Sequence, residues 1–184
     1  MRILAISGSL RAGSWNMTLL RAAAELLPPD VELVLHEGLE AIPAFDEDLE
    51  HGPHGAVHAL RDAIRDADAV LIATPEYNHS LPGGLKNALD WVSRPTATNA
   101  LRGKPVAVVG ASIGLFGAVW AQAETRKVLG AIGAKPLEGE LPVGQAPQHF
   151  DGDGRLTTPE LREALAALLE ELVAAARPAV PAAA

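Results

Sequence analysis

The sequence contains no cysteine. A chain without thiols has no disulfide, no thiolate nucleophile and no sulfur ligands for zinc or an iron–sulfur cluster. Aromatic residues are also scarce, at 4%, and tyrosine occurs once. The missing cysteines therefore exclude enzymes that use a thiolate nucleophile, a zinc–cysteine site or an iron–sulfur cluster. They also fit a reducing compartment such as the cytoplasm.

Basic residues are in deficit as well. Lys and Arg number 15 against 23 Asp and Glu, which gives a formal net charge of −8. Nucleic-acid binding draws much of its affinity from Lys and Arg on phosphates, so we expect no nucleic-acid partner. No apolar segment approaches the ~20 residues of a membrane span, and the N-terminal apolar stretch is too short for a signal peptide. We expect no membrane partner and a cytoplasmic location.

Five short apolar segments alternate with segments of helical periodicity. Strands are predicted at residues 3–6, 31–35, 69–74, 105–110 and 135–144. Helices are predicted at 17–27, 58–67, 85–92, 117–132 and from 157 or 158 onward. This alternation predicts an α/β fold, a parallel sheet with helices on both faces. We expect a single domain over residues 1–176 and a flexible tail at 177–184.

Three loops rich in glycine, serine and other turn-forming residues follow predicted strands, at residues 7–16, 74–84 and 111–117. In a parallel sheet, ligands bind beyond the carboxyl ends of the strands. We therefore expect the three loops to meet at one edge of the sheet and form a binding site.

The first loop, SGSLRAGSWN, has the character of an anion-binding loop. It lacks the lysine of a triphosphate-binding P-loop and the spacing of a dinucleotide fingerprint. What remains is Arg11 with the polar side chains of Ser9, Ser14 and Asn16 at the start of a helix, a set that suits a terminal phosphate. The alternative is that Ser14 or Asn16 merely caps the helix while Arg11 is solvated.

The second loop, TPEYNHSLPGG, carries an aromatic, an amide and a hydroxyl between two prolines. Proline stiffens the backbone, and a stiff loop with one planar side chain can support a flat heterocycle. Tyr77 is the candidate for that planar contact. The alternative for Glu76 is a surface ion pair with Lys86.

The third loop, GASIGLFG, contains Ser112 and Gly114 and permits close approach of a ligand to the backbone. It also satisfies G-x-S-x-G, the pattern of a hydrolase nucleophile. A hydrolase needs a later acid and histidine, and His149 is the only histidine that follows. We do not favour that reading.

Three histidines, His51, His54 and His58, have a spacing that a metal site can use. They flank turn-forming residues, and no second cluster of potential ligands adjoins them. We favour a solvated loop and expect no metal.

Together, GSLRAGSWN, TPEYNHSLPGGLKNALDW and GKPVAVVGAS resemble the NAD(P)H-dependent FMN reductase family. This flavodoxin-like group includes quinone, azo-dye and chromate reductases. The resemblance runs from residue 2 to about residue 140, and Ile113 departs from it where proline is frequent. It implies a three-layer sandwich whose five-stranded sheet has the order 2-1-3-4-5. It also implies bound FMN, with NADPH or NADH as co-substrate.

The resemblance assigns cofactor-binding roles to ten residues. The FMN phosphate is held by residues that match Ser9, Arg11, Ser14 and Asn16. The isoalloxazine ring is lined on one side by Pro75, Glu76, Tyr77 and Asn78, and on the other by Ser112 and Gly114.

The resemblance also implies a ping-pong mechanism, in which hydride passes from nicotinamide through FMN to a small-molecule electron acceptor. The flavin performs this chemistry, so we name no catalytic residue. A homodimer or homotetramer is implied as well. The alternatives are a flavodoxin-like electron carrier without substrate turnover, or a phosphate enzyme that uses the first loop alone.

Overall fold

The structure is a computed structural model that describes residues 1–177. The predicted flexible tail, 177–184, lies outside the described residues apart from Arg177. The strands are β1 (Arg2–Ser7), β2 (Glu32–His36), β3 (Ala69–Ala73), β4 (Pro105–Ala111) and β5 (Lys135–Val143). The helices are α1 (Trp15–Ala24), α2 (Gly55–Asp66), α3 (Gly83–Val92), α4 (Val119–Ala131) and α5 (Pro159–Ala176). Short 3₁₀ helices lie in the connections at Leu39–Ala41, Glu47–Leu49, Thr96–Thr98 and Ala146–Gln148.

All five strands are parallel and lie in the order β2-β1-β3-β4-β5. On β1, Ile3 pairs with Leu33 of β2 on one side and with Ala69 of β3 on the other. Parallel neighbours require a crossover connection, which explains why each of the first four strands is followed by a helix. The predicted flavodoxin-like sheet order is confirmed.

Apolar side chains cover both faces of the sheet in two hydrophobic clusters. One cluster lies under α1 and α5 and includes Leu19 and Leu169. The other lies under α2, α3 and α4 and includes Trp91. Successive side chains of the fully buried β3 alternate between them, with Leu71 in the first cluster and Ile72 in the second. The three-layer arrangement is therefore confirmed.

Helix α1 departs from its predicted bounds, residues 17–27, at both ends. It begins earlier because Ser14 caps it: the Ser14 hydroxyl accepts a hydrogen bond from Met17 N at 3.3 Å. It ends earlier, at Ala24, because Pro28 has no N–H to donate to the Ala24 carbonyl and its ring would clash with that carbonyl in a continued helix.

The loops after β1, β3 and β4 lie side by side, because these three strands are neighbours in the sheet. Their carboxyl ends therefore form one continuous edge, as the sequence predicts. Among residues 1–177, no helix is long and apolar enough to cross a membrane.

Candidate functional site

A cleft of about 200 Å³ opens where the loops after β1, β3 and β4 meet. Most of the predicted site residues line it: Ser9, Arg11, Ser14, Asn16, Pro75, Glu76, Tyr77 and Ser112. The lining is completed by Trp15, Ala111 and Ile113. Asn78 and Gly114 belong to the same loops but do not line the cleft. We call this the central cleft.

The first loop is tied to its own strand and to β3. Ser9 N donates to Ser7 Oγ, and Ser7 Oγ donates to Ser9 O, both at 3.2 Å. Gly8 N donates to Ala73 O at 2.8 Å. These bonds use the backbone of Ser9, and its hydroxyl makes no hydrogen bond within the described residues. That hydroxyl is therefore available to a ligand.

Arg11 and Ser14 retain donors that face the central cleft. Arg11 is exposed, and within the described part of the chain its guanidinium makes one hydrogen bond, from Nη2 to Gly13 O at 3.2 Å. The Ser14 hydroxyl accepts from Met17 N when it caps α1, which leaves its hydrogen free for donation. Ser14 thus caps the helix, as the alternative proposed, and still lines the cleft.

Asn16 is buried and joins α1 to β4. Its Nδ2 donates to Ala111 O at 3.0 Å, and its Oδ1 accepts from Ala111 N at 2.9 Å. Two residues before Ala111, on the same edge of β4, Val109 O accepts a hydrogen bond from the backbone N of Thr74, which lies just past the end of β3. The Asn16 amide therefore continues the sheet ladder where β3 stops. Both ends of this amide are engaged, so Asn16 positions the first loop beneath the cleft.

The tip of the second loop is a two-residue turn. Tyr77 and Ser80 exchange backbone hydrogen bonds, both 3.1 Å long. Between them, Asn78 and His79 have φ of 54° and 60°, as in a type I′ turn. Asparagine tolerates this left-handed geometry better than most residues. The turn leaves the Tyr77 ring half exposed at the rim of the central cleft.

Glu76 anchors the second loop to α4. Its Oε2 accepts from Trp120 N and Ala121 N, both at 3.1 Å, in the first turn of that helix. A carboxylate at a helix N-terminus is favourable because the amides there carry partial positive charge. The alternative of an ion pair with Lys86 is wrong, since Lys86 Nζ bonds Asp90 Oδ1 at 2.7 Å.

The third loop is fixed by the segment that follows β5. Ser112 N donates to Val143 O at 3.0 Å, and Ala146 N donates to Ser112 O at 2.9 Å. Gln145 N donates to Gly114 O at 2.8 Å, and this carbonyl also accepts from the Ser112 hydroxyl at 3.2 Å. The segment after β5 is therefore part of the framework of the site, a role that its sequence does not predict.

Two glycines permit this packing. A Cβ on Gly144 would overlap the carbonyl oxygen of Leu115, and one on Gly117 would overlap the main chain at Pro142. Gly117 also has a φ of 56°, which favours glycine. Both glycines are visible in the sequence, but only the adjacency of the two segments shows why they are needed.

The hydrolase alternative gains no support from the structure. The Ser112 hydroxyl donates to Gly114 O, and His149 Nδ1 lies 2.7 Å from Thr158 Oγ1. A nucleophile needs its base within hydrogen-bond reach, and these two side chains have other partners.

The three histidines of residues 51–58 do not converge on a metal-like site. His54 Nε2 and His58 Nε2 lie 3.2 Å from the carbonyl oxygens of Leu49 and Gly52. Within residues 1–177, no group of three His, Cys, Asp or Glu is arranged to hold a metal ion.

Exposed apolar side chains adjoin the central cleft. We define the apolar patch as Ile113, Leu115, Phe116 and Trp120, which are 72%, 68%, 59% and 42% exposed. The rings of Phe116 and Trp120 lie 5.0 Å apart. Large exposed apolar surface on a folded protein marks an interaction site.

The donor set suits a phosphate-bearing flat cofactor such as FMN. Hydroxyls of Ser9 and Ser14, the Arg11 guanidinium and the N-terminus of α1 are groups that hold a phosphate. Pro75 and Tyr77 provide a stiff, partly aromatic wall on the second loop. The residues that line the cleft therefore fit the cofactor that the sequence resemblance implies.

Comparison with known proteins identifies close relatives. A family model described as NADPH-dependent FMN reductase matches residues 1–148. The chain is 42% identical to NAD(P)H-dependent FMN reductase PA1204 of Pseudomonas aeruginosa over 174 residues, 94% of this chain and 93% of that one. It is 33% identical to a 2-hydroxy-1,4-benzoquinone reductase of Burkholderia sp. over 95% of each chain. Among solved structures, the NAD(P)H:(acceptor) oxidoreductase FerB of Paracoccus denitrificans superposes with a TM-score of 0.85 at 33% identity, covering 95% of this chain and 96% of FerB.

Proposed function

The chain belongs to the NADPH-dependent FMN reductase family, and on that basis we propose that it transfers electrons from NADH or NADPH, through bound FMN, to a quinone, azo compound, flavin or similar acceptor. The observation that carries this proposal is the convergence of the three loops on the central cleft. Relatives named FMN reductase and benzoquinone reductase support the acceptor class.

For the FMN phosphate we propose Ser9, Arg11 and Ser14 as the residues that contact it. Each lines the central cleft and has a hydroxyl or guanidinium donor to offer. Charge-assisted hydrogen bonds from Arg11 would supply much of the affinity for a dianion. Asn16 belongs to the same group, but its proposed role is to position the first loop through its two hydrogen bonds to Ala111.

For the isoalloxazine ring we propose contacts with the second and third loops. Pro75 and Tyr77 line the cleft directly, while Glu76 and Asn78 hold the loop in shape through α4 and the turn. On the other side, Ser112 lines the cleft and Gly114 accepts the hydrogen bonds that fix Ser112.

The chain contributes binding and orientation. FMN, when bound, supplies the hydride and electron transfer. Among residues 1–177, Glu76 is the single carboxylate that lines the central cleft, and two backbone amides hold its Oε2. Since hydride delivery by the flavin requires no protein acid or base, we name no lining residue as catalytic. NAD(P)H and the acceptor would occupy the same open face in turn, which is a ping-pong order.

The test starts from purified protein loaded with FMN. The expected result is a yellow protein that NADH or NADPH bleaches without oxygen and that a quinone reoxidises. Initial rates measured against NADH or NADPH concentration, at several fixed quinone concentrations, should give parallel lines in a double-reciprocal plot. A yellow protein that neither nucleotide reduces would support the electron-carrier alternative. A colourless protein that takes up no FMN but binds ATP with magnesium would contradict the proposal.

We also propose that residues 1–176 form a single functional domain that acts in the cytoplasm as a homodimer or homotetramer. The apolar patch supports self-association, because it adjoins the central cleft and exposes large side chains to water. Burial of this patch against a second copy would also shield the cofactor from solvent.

A further inference from the structure

A second cleft lies on the other side of the first loop, beyond the carboxyl ends of β1 and β2. Its volume is about 270 Å³. It is lined by first-loop residues between Ser7 and Ala12, by Met17 and Arg21 of α1, and by residues 36–40. We call it the His36 cleft. It shares Ser9 and Arg11 with the central cleft, so the two adjoin.

A third cavity borders both of these clefts. It measures about 310 Å³ and is lined by Gly8, Leu10, Arg11, Tyr77 and residues 82–84. It shares Arg11 and Tyr77 with the central cleft, and Leu10 and Arg11 with the His36 cleft. The three cavities therefore adjoin one another around Arg11, between the proposed ring site and the end of β2.

The His36 cleft contains polar groups without partners. Arg21, Glu37 and Glu40 are exposed and form no salt bridge among residues 1–177. His36 Nε2 is buried and has no hydrogen-bond partner in the described part of the chain. Burial lowers the pKa of His36, against an opposing effect of Glu40, so its ring is neutral at pH 7. The cleft thus offers two guanidinium groups, two carboxylates and a neutral imidazole. Arg11 also lines the central cleft, whereas Arg21 lines only the His36 cleft of the two.

These groups match the adenosine end of a nicotinamide dinucleotide. In dinucleotide-binding Rossmann folds, an acidic residue downstream of the glycine-rich loop accepts a hydrogen bond from the ribose 2′-hydroxyl. This chain lacks that glycine fingerprint, but Glu37 directly follows β2 and can offer its carboxylate to a ribose in the same way. A guanidinium such as that of Arg21 suits a pyrophosphate. The additional 2′-phosphate of NADPH would bring a dianion near Glu37 and Glu40, where like charges repel.

We propose that the His36 cleft binds the adenosine ribose of NADH, with Glu37 and Glu40 as acceptors for its hydroxyls and Arg21 toward its pyrophosphate, and that it disfavours NADPH. The inference rests on the proposed function, since it assumes a nicotinamide dinucleotide as electron donor. It goes further by naming the residues that select between the two donors.

Binding of fragments without nicotinamide tests the cleft separately from the reaction. Calorimetry on the FMN-loaded protein should show ADP-ribose binding about tenfold more tightly than 2′-phospho-ADP-ribose, the order expected from like charges a few ångströms apart in water. The double variant Glu37→Gln/Glu40→Gln should largely lose this discrimination. The matched control is Glu163→Gln, an exposed glutamate on α5, which should retain it. Arg21→Gln should weaken the binding of both ADP-ribose and 2′-phospho-ADP-ribose.

Steady-state rates give a second readout. The ratio of kcat/KM for NADH to that for NADPH should exceed one in the wild type and fall in the double variant, with FMN affinity unchanged. Equal binding of the two fragments by the wild type, or discrimination that survives in the double variant, would overturn the inference. If the holoprotein oxidises neither nucleotide, the proposed function fails, and fragment binding still decides the role of the cleft.

Discussion

Replacement of Asn16 by alanine perturbs the fold and the site together. The side chain supplies both hydrogen-bond partners of the Ala111 peptide groups, at 2.9 and 3.0 Å, across 95 residues of sequence. Ala111 is 2% exposed, so the variant leaves a buried N–H and a buried C=O without partners. The first loop also loses its bond to the end of β4.

The cost follows from these two groups. A buried polar group left unsatisfied costs about 1–3 kcal/mol, which gives about 2–6 kcal/mol for the pair. Ala111 also lines the central cleft, so water can reach the vacated position in the protein without FMN. We therefore expect Asn16→Ala to lower the free energy of unfolding by about 2–4 kcal/mol and to weaken FMN binding.

Asn99 offers a matched control. It also makes two main-chain hydrogen bonds, to Ile132 O at 2.6 Å and from Leu101 N at 2.9 Å, but it does not line the central cleft. Asn99→Ala should lower stability and leave FMN affinity intact. Urea unfolding and FMN fluorescence titration measure both quantities. A loss below about 0.5 kcal/mol in Asn16→Ala, or equal FMN affinity in the two variants, would refute the reasoning.

Four further predictions address other parts of the chain. Arg11→Ala combined with Ser14→Ala should weaken FMN binding by at least about tenfold while the circular dichroism spectrum is retained; an unchanged flavin titration would contradict the phosphate assignment. Glu76→Ala should lower the free energy of unfolding by about 1–2 kcal/mol through loss of the α4 cap, with partial recovery in Glu76→Gln, as thermal unfolding would show. Phe116→Asp should shift sedimentation toward the monomer, and an unaltered mass would count against the patch as the contact between copies. Because burial lowers the pKa of His36, the unfolded chain binds that proton more readily, so stability should fall as pH drops below about 6.5; His36→Gln should flatten this part of a stability profile, and an identical slope would argue against it.

The sheet and the meeting of the loops could be predicted because their signals are local. A strand buried on both faces, such as β3, is a continuous apolar run in the sequence. Alternation with helices then makes the sheet parallel, and parallel strands bring their carboxyl ends to one edge. The candidate residues of all three loops followed from that geometry and from the motif resemblance.

The partners of individual polar side chains could not be predicted in this way. Asn16 pairs with Ala111, and Glu76 with the start of α4 at Trp120, contacts that span 95 and 44 residues. Neither periodicity nor turn chemistry carries information over such separations. Lys86, the alternative partner for Glu76, is nearer in sequence, but it bonds Asp90 one helical turn further along α3.

The close packing at Gly144 and Gly117 affects how a partner molecule would bind to the apolar patch. Close contact of Gly144 with Leu115, and of Gly117 with Pro142, joins the third loop and the end of β5 into one rigid unit. Exposed loops usually lose conformational freedom when a partner packs on them, and that entropy loss opposes association. Here Phe116 and its neighbours are presented on a segment that folding has already ordered. A second copy of the chain, or a flat acceptor at the rim of the cleft, would meet a surface whose shape is preset.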